Sequence, residues 1–126
     1  MASKAGPEAE VEKIIVRLAP SLGLSLDVID SKASWNVAAK RFMKSRAAPE
    51  GFPDLVGCDL NGRAVFIELK APGVKSIRPM QRAFLRKKID SRAIGGVVRS
   101  AQELVNLLKF SQQEMLDWLE SFKDSK

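Results

Sequence analysis

The chain has 126 residues and contains no histidine, no tyrosine and no threonine, and Cys58 is its single cysteine. Zinc fingers, cysteine–histidine pairs and acid–base catalysis by imidazole are therefore excluded. A tyrosine nucleophile is excluded as well, and no disulfide can form within the chain. If the protein is an enzyme, its chemistry depends on carboxylates, lysine and a metal ion.

The length and the lack of targeting segments suggest a simple organisation. A chain of this size is long enough to bury one hydrophobic core, so we expect residues 1–126 to form a single domain. No segment has the composition of a signal peptide or of a membrane span. Together with the unpaired cysteine, these features predict a cytoplasmic protein without membrane contact.

The charge is net positive, with 21 Lys and Arg against 15 Asp and Glu, and it is unevenly distributed. Residues 32–46 contain five bases and no acid, residues 75–92 contain seven bases and one acid, and acids predominate after residue 100. One basic run alone is typical of any solvated surface, but this asymmetry favours a polyanion such as DNA. The predicted DNA contacts are Lys40, Arg41, Lys44, Arg46, Lys75, Arg78 and Arg82.

The spacing of apolar residues predicts helices mixed with strands, hence an α/β fold. Helices are predicted over residues 7–19, through Trp35, Ala38, Ala39, Phe42 and Met43, over 79–89, and after the capping residues Ser100 and Ser111. Strands are predicted over 24–29, 53–59, 63–70 and 97–99. In the first helix, Glu8 and Glu12 both lie at one edge of the buried stripe, so either carboxylate can reach a site beneath the helix.

The loop Leu60-Asn61-Gly62 decides whether Asp54 and Glu68 share a face of the sheet. A two-residue loop would place their side chains on opposite faces, because one residue of slip reverses every side chain. A three-residue loop with Gly62 in the left-handed conformation pairs Asp59 with Arg63, and therefore Asp54 with Glu68. We predict the three-residue loop, since an aspartate beside a glutamate can hold Mg²⁺ against a phosphate. Lys70 follows Glu68 on the same face.

Three motifs resemble the VRR-Nuc branch of the PD-(D/E)xK nucleases: Gly51-x-Pro53-Asp54-Leu55, Ile67-Glu68-Leu69-Lys70 and Pro79-x-Gln81. The resemblance covers about residues 8–108 and implies a restriction-endonuclease-like core, in which helices flank a central mixed β-sheet. An extra C-terminal helix over about 111–123 lies beyond it.

The resemblance also implies roles for individual residues. Asp54, Glu68 and the backbone carbonyl of Leu69 would bind Mg²⁺ or Mn²⁺, and Lys70 and Gln81 would complete the catalytic set. The family places a further metal-binding glutamate on its first helix. Glu8 matches the VRR-Nuc pattern and Glu12 resembles archaeal Holliday junction resolvases, so both remain candidates.

Standalone proteins of this family resemble Holliday junction resolvases and act as homodimers. The resemblance therefore implies a homodimeric, structure-selective endonuclease that cuts branched or duplex DNA and leaves 5′-phosphate and 3′-hydroxyl ends. The alternatives are a sequence-specific or nicking nuclease of the same fold and a non-catalytic DNA-binding protein. Met115, Trp118, Leu119 and Phe122 share one face of the last helix and form either a dimer surface or a contact with the protein's own sheet.

Overall fold

A computed structural model describes residues 6–29 and 50–126, together with the backbone of residues 34–36 and 41–43. The helices are α1 (Pro7–Leu18), α2 (Pro79–Asp90), α3 (Ala101–Lys109) and α4 (Gln112–Glu120), with a 3₁₀ turn at Ala19–Leu22. The strands are β1 (Ser25–Val28), β2 (Ser34–Asn36), β3 (Arg41–Met43), β4 (Leu55–Cys58), β5 (Ala64–Leu69), β6 (Ser76–Ile77), β7 (Ile94–Val98) and β8 (Lys123–Asp124). The predicted α/β class is confirmed.

The central sheet is mixed and has the strand order β1-β4-β5-β7. The pairs β1–β4 and β4–β5 are antiparallel, and β5–β7 is parallel. A parallel pair requires a crossover connection, which α2 supplies between β5 and β7. No helix in the described part of the chain is long and apolar enough to cross a membrane.

The two glycines of β7 show that helices cover both faces of the sheet. A β-carbon at Gly95 would contact Ile89 and Leu85 of α2, whereas one at Gly96 would contact Leu107 of α3. Consecutive strand residues point to opposite faces, so α2 and α3 lie on opposite sides. Helix α1 contacts α3 and β5. Glu68 of β5 points to the α2 face, because it is two residues from Phe66, which pairs with Gly95.

The hairpin β4–β5 has the predicted register. Leu55 pairs with Ile67, and continuing this register by one residue places Asp54 opposite Glu68. The Asp59 N–H donates to the Arg63 carbonyl at 2.9 Å and Gly62 has a φ of 79°, as expected for a three-residue loop. The Asp59 carboxylate also accepts the N–H groups of Asn61 and Arg63. The two predicted metal ligands therefore lie on one face.

The predicted second helix is wrong, because β2 and β3 form an antiparallel pair there. Trp35 pairs with Phe42 across this ladder, and Ser34 pairs with Met43. Partners that face each other across a short hairpin can be seven residues apart, which is also the repeat of a helical face. Ala38 and Ala39 lie outside the described residues.

The apolar face of α4 packs on the protein's own sheet, which is the second of the two alternatives that the sequence left open. Met115, Leu119 and Phe122 are buried within the chain. The indole Nε1 of Trp118 donates to the Val97 carbonyl at 2.9 Å. The predicted capping box of α4 is present, with Ser111 and Glu114 bonding each other's backbone N–H groups. Helix α4 thus completes the fold beside α2 and β7.

Candidate active site

Asp54 lies where β4 begins and its carboxylate bonds to the end of β5. Its Oδ2 accepts the backbone N–H of Leu69 at 2.8 Å. In this register Leu69 lies opposite Pro53, which has no N–H to donate to the Leu69 carbonyl. In an antiparallel ladder the N–H and C=O of one residue point to the same neighbouring strand. The Leu69 carbonyl is therefore directed to the Asp54 side of the strand.

Glu68 is a buried carboxylate, with only 4% of its surface exposed. Its Oε2 accepts a hydrogen bond from Gln81 Nε2 at 2.8 Å and lies 3.8 Å from Lys70 Nζ. Burial, followed by the neighbouring Asp54 carboxylate, raises the pKa of Glu68 from 4.5 to about 8, although Lys70 acts in the opposite direction. Burial beside a second carboxylate favours the protonated form of Glu68, or a bound cation that offsets the two negative charges.

Gln81 connects the N-terminus of α2 to the carboxylate pair. Its Oε1 accepts the backbone N–H of Arg78 at 3.0 Å, and this bond fixes which end of the amide points at Glu68. The Gln81 side chain is buried, and both ends of its amide are hydrogen-bonded, as a buried polar group requires. Gln81 therefore orients the Glu68 carboxylate from the helix side.

Lys70 immediately follows β5 and remains attached to the sheet, since its backbone N–H donates to the Val98 carbonyl at 3.2 Å. Its side chain is 18% exposed and lies on the face that Glu68 occupies. The ammonium group is thus held at the rim of the site, where it can meet both the carboxylates and solvent.

Of the two helix carboxylates, the structure connects Glu8 to the site. The negative charge of Glu8 contributes to raising the pKa of Glu68, after burial and the Asp54 carboxylate. Both residues are half-buried on α1 and both have interaction partners. Glu8 therefore acts electrostatically on Glu68, and both glutamates remain candidates for a third carboxylate.

The predicted DNA contacts divide into three groups. Lys75 and Arg78 are exposed in the segment that leads into α2, as a phosphate-binding surface requires. The guanidinium of Arg82 is instead bonded within the protein to Leu119, Phe122 and Asp124. Lys40, Lys44 and Arg46 lie outside the described residues, and of Arg41 only the backbone, in β3, is described.

Three phenylalanines that the sequence did not indicate adjoin the site. Phe66 is two residues from Glu68 on the same face of β5, and its ring centroid lies 5.7 Å from that of Phe84 on α2. The Phe52 ring lies 5.0 Å from Phe84, and Lys88 Nζ lies 5.1 Å from the Phe84 centroid. Strand alternation could have placed Phe66 beside Glu68. The other contacts depend on how α2 packs.

The donor set suits a hard divalent cation. No group of three or more Asp, Glu, Cys or His side chains suited to a metal ion occurs within residues 6–29 and 50–126. Two side-chain donors, the Asp54 and Glu68 carboxylates, lie together here with the Leu69 carbonyl beside them. Mg²⁺ commonly binds through one or two carboxylates and keeps several waters, so this set fits it.

Comparison of the chain with models of known protein families and with curated proteins gave no match.

Proposed function

We propose that the protein is a metal-dependent phosphodiesterase that cuts DNA. The observation that carries the proposal is the environment of Glu68: a buried carboxylate beside Asp54, bonded by Gln81 and approached by Lys70. A purely structural glutamate at this position would be costly, because burial next to a second carboxylate disfavours its charge. Buried acids with strongly shifted pKa values are concentrated at functional sites.

Asp54, Glu68 and the Leu69 carbonyl would hold the Mg²⁺ or Mn²⁺ ion. When bound, such an ion polarises a phosphate oxygen and lowers the pKa of a coordinated water. Lys70 contributes a positive charge and N–H donors at the rim, suited to orienting the attacking water or stabilising charge that develops on the phosphate. Gln81 keeps Glu68 in one orientation, and this fixed arrangement removes the need for rearrangement during reaction.

The substrate part of the proposal depends on charge and on the resemblance to VRR-Nuc nucleases. Lys75 and Arg78 are exposed in the segment that leads into the helix of Gln81, and they would contact the phosphates that flank the cleaved bond. We also propose that the protein has a restriction-endonuclease-like core, that it prefers branched DNA such as Holliday junctions, and that it acts as a homodimer. The interface of that homodimer would lie away from the buried face of α4.

Cleavage of labelled DNA tests the proposal. Four-way junctions, flaps and linear duplexes are incubated with Mg²⁺ and wild-type protein, Glu68→Gln or Lys70→Ala. Glu114→Gln and Lys109→Ala, which change the same residue types at exposed positions, serve as controls. We expect both site variants to lose roughly 100-fold or more of the cleavage rate and both controls to keep it.

Each other outcome points to a different function. Equal cutting by wild type and both site variants would contradict the assignment of Glu68 and Lys70. Cutting of linear duplex at defined sequences, or of one strand only, would indicate a sequence-specific or nicking nuclease. Salt-dependent binding of junctions without any cleavage would indicate a DNA-binding protein.

A further inference from the structure

Arg82 follows Gln81 on α2 and bonds to residues 119–125, near the end of the described chain, which we term the C-terminal segment. Its guanidinium donates to the carbonyls of Leu119 at 2.8 Å and Phe122 at 2.6 Å. It also donates twice to the Asp124 carboxylate, at 2.9 and 3.1 Å. Only 14% of the Arg82 side chain is exposed. This arginine therefore joins the first turn of α2 to the C-terminal segment.

The same segment also bonds to the chain that leads into α2. Strand β8 pairs with β6 in parallel, the Lys123 N–H donates to the Lys75 carbonyl at 2.9 Å, and the Ser125 N–H donates to the Ile77 carbonyl at 2.8 Å. Residues 75–77 directly precede Arg78, whose N–H fixes the Gln81 amide. The C-terminal segment thus holds both flanks of Gln81.

Arg99 bonds to Val74, which directly precedes residues 75–77 in the chain that leads into α2. Its Nη1 donates to the Val74 carbonyl at 2.7 Å, while Glu103 binds the other side of the guanidinium. The Arg99 guanidinium carbon lies 5.3 Å from the Trp118 ring centroid and 5.1 Å from that of Phe122. The loop from Val74 to Ile77 is therefore tied to the C-terminal part of the fold at several points.

Such anchoring matters because Gln81 lies in the first turn of its helix. The first N–H groups of a helix lack partners within it, and an arginine at the N-cap has no side-chain acceptor to offer them. Helix ends also open more readily than helix centres. An opening of this turn would break the bond between Arg78 and Gln81 and release the amide from Glu68.

We propose that the C-terminal segment positions Gln81 against Glu68 and that Arg82 is the positioning residue through which it acts. The effect on catalysis rests on the proposed function, whereas the effect on the Gln81 amide does not. Within the described part of the chain, the guanidinium of Arg82 bonds to the C-terminal segment and not to Glu68 or Lys70. Its role is to keep the first turn of α2 closed, so that the amide keeps one orientation.

The test compares Arg82→Lys with Arg86→Lys. Arg86 is one turn further along α2 and pairs with Glu120 at 3.0 Å, but its side chain is 55% exposed and does not hold the C-terminal segment's carbonyls. The first readout is the exchange with water of the Gln81 side-chain amide protons, measured by NMR. We expect it to be about tenfold faster in Arg82→Lys and within twofold of wild type in Arg86→Lys. The second readout is cleavage, for which kcat should fall about tenfold with KM within twofold.

Asp124→Asn provides a second variant, since this exposed residue can change without disturbing the core. We expect Asp124→Asn to shift amide exchange and kcat in the same direction as Arg82→Lys, by a smaller factor. The combination with Gln81→Ala separates positioning from general destabilisation, because Arg82→Lys should then cause no further loss of kcat. A lower melting temperature with unchanged amide exchange and kcat would overturn the proposal. Faster amide exchange in a protein that never cleaves DNA would support the positioning role and contradict only the proposed function.

Discussion

Gly51 and Met80 are in direct backbone contact. A β-carbon at Gly51 would lie 2.5 Å from the Met80 carbonyl oxygen and 3.2 Å from the Gln81 nitrogen, and Gly51 has a φ of 82°. The chain that leads to Asp54 therefore passes against the first turn of the helix that carries Gln81. Only glycine fits this approach without displacing one of the two.

We expect Gly51→Ala to separate residues 51–54 from the N-terminus of α2. The φ value alone costs about 1 kcal/mol for alanine, and the clash with backbone adds roughly 1 to 3 kcal/mol. The free energy of unfolding, measured in urea, should fall by that total, and cleavage should be lost with it. Gly62→Ala is the control, because Gly62 has a φ of 79° and nothing within 4 Å of its added carbon. Equal destabilisation by the two substitutions would contradict the contact.

The raised pKa of Glu68 predicts a pH dependence of stability without divalent ions. Between 4.5, the value of an unperturbed glutamate, and about 8, the folded protein holds a proton that the unfolded chain has released. The free energy of unfolding should therefore fall as the pH rises through this window, by at most about 1.4 kcal/mol per pH unit. The stabilisation is complete below 4.5 and lost above about 8.

Glu68→Gln keeps the neutral shape at every pH, so this slope should disappear and the variant should be more stable than wild type above pH 8. Urea unfolding in EDTA from pH 5 to 9 measures the effect. Glu10→Gln, at an exposed position on α1, should leave the slope unchanged. Parallel curves for wild type and Glu68→Gln would show that Glu68 does not titrate abnormally.

Divalent cations should stabilise the folded protein through Asp54. At ten times its dissociation constant, an ion that binds only the folded state adds about 1.4 kcal/mol to the free energy of unfolding. Asp54→Asn can still accept the Leu69 N–H but removes the charge, so Mg²⁺ or Mn²⁺ should no longer raise its melting temperature. Asp59→Asn is the matched control for Asp54→Asn, because the Asp59 carboxylate also accepts backbone N–H groups on this hairpin. An identical response of both variants to Mn²⁺ would place the ion elsewhere.

Lys75 and Arg78 should account for part of the salt dependence of DNA binding. Each phosphate contact that is lost lowers the slope of log affinity against log salt by about 0.9. We expect Lys75→Ala and Arg78→Ala each to show this change on duplex and junction DNA alike, measured by fluorescence anisotropy from 50 to 300 mM salt. Lys109→Ala, at the exposed end of α3, should leave the slope as it is. If Lys75→Ala and Arg78→Ala both leave the slope unchanged, as the control does, this face is excluded as the DNA-binding surface.

The hairpin was predictable because its register depends on local rules. An Asn-Gly pair limits the loop to a few geometries, and requiring Asp54 and Glu68 to share a face selects one of them. The pairing of Trp35 with Phe42 was not predictable, since a spacing of seven residues fits a helical face as well as two partners in a β-ladder. The local pattern carries no information that separates them.

The site itself was predictable only in part. Strand parity and the resemblance to known nucleases place Asp54, Glu68, Lys70 and Gln81 together, and the structure brings these four into one cluster. Arg82 carries the same charge as Arg78 four residues earlier, yet one is bonded inside the fold and the other is exposed. Their difference depends on where the C-terminal segment packs, which spacing along the chain does not indicate.

The parallel pairing of β6 with β8 gives the site a defined place in the order of folding. Asp54 and Glu68 belong to one hairpin, whose short loop closes quickly and early. The anchoring of Gln81 instead depends on residues 123–125, so during synthesis it must wait until the chain has passed that point. A nascent chain would therefore carry its pair of acids before the amide that orients Glu68 is fixed.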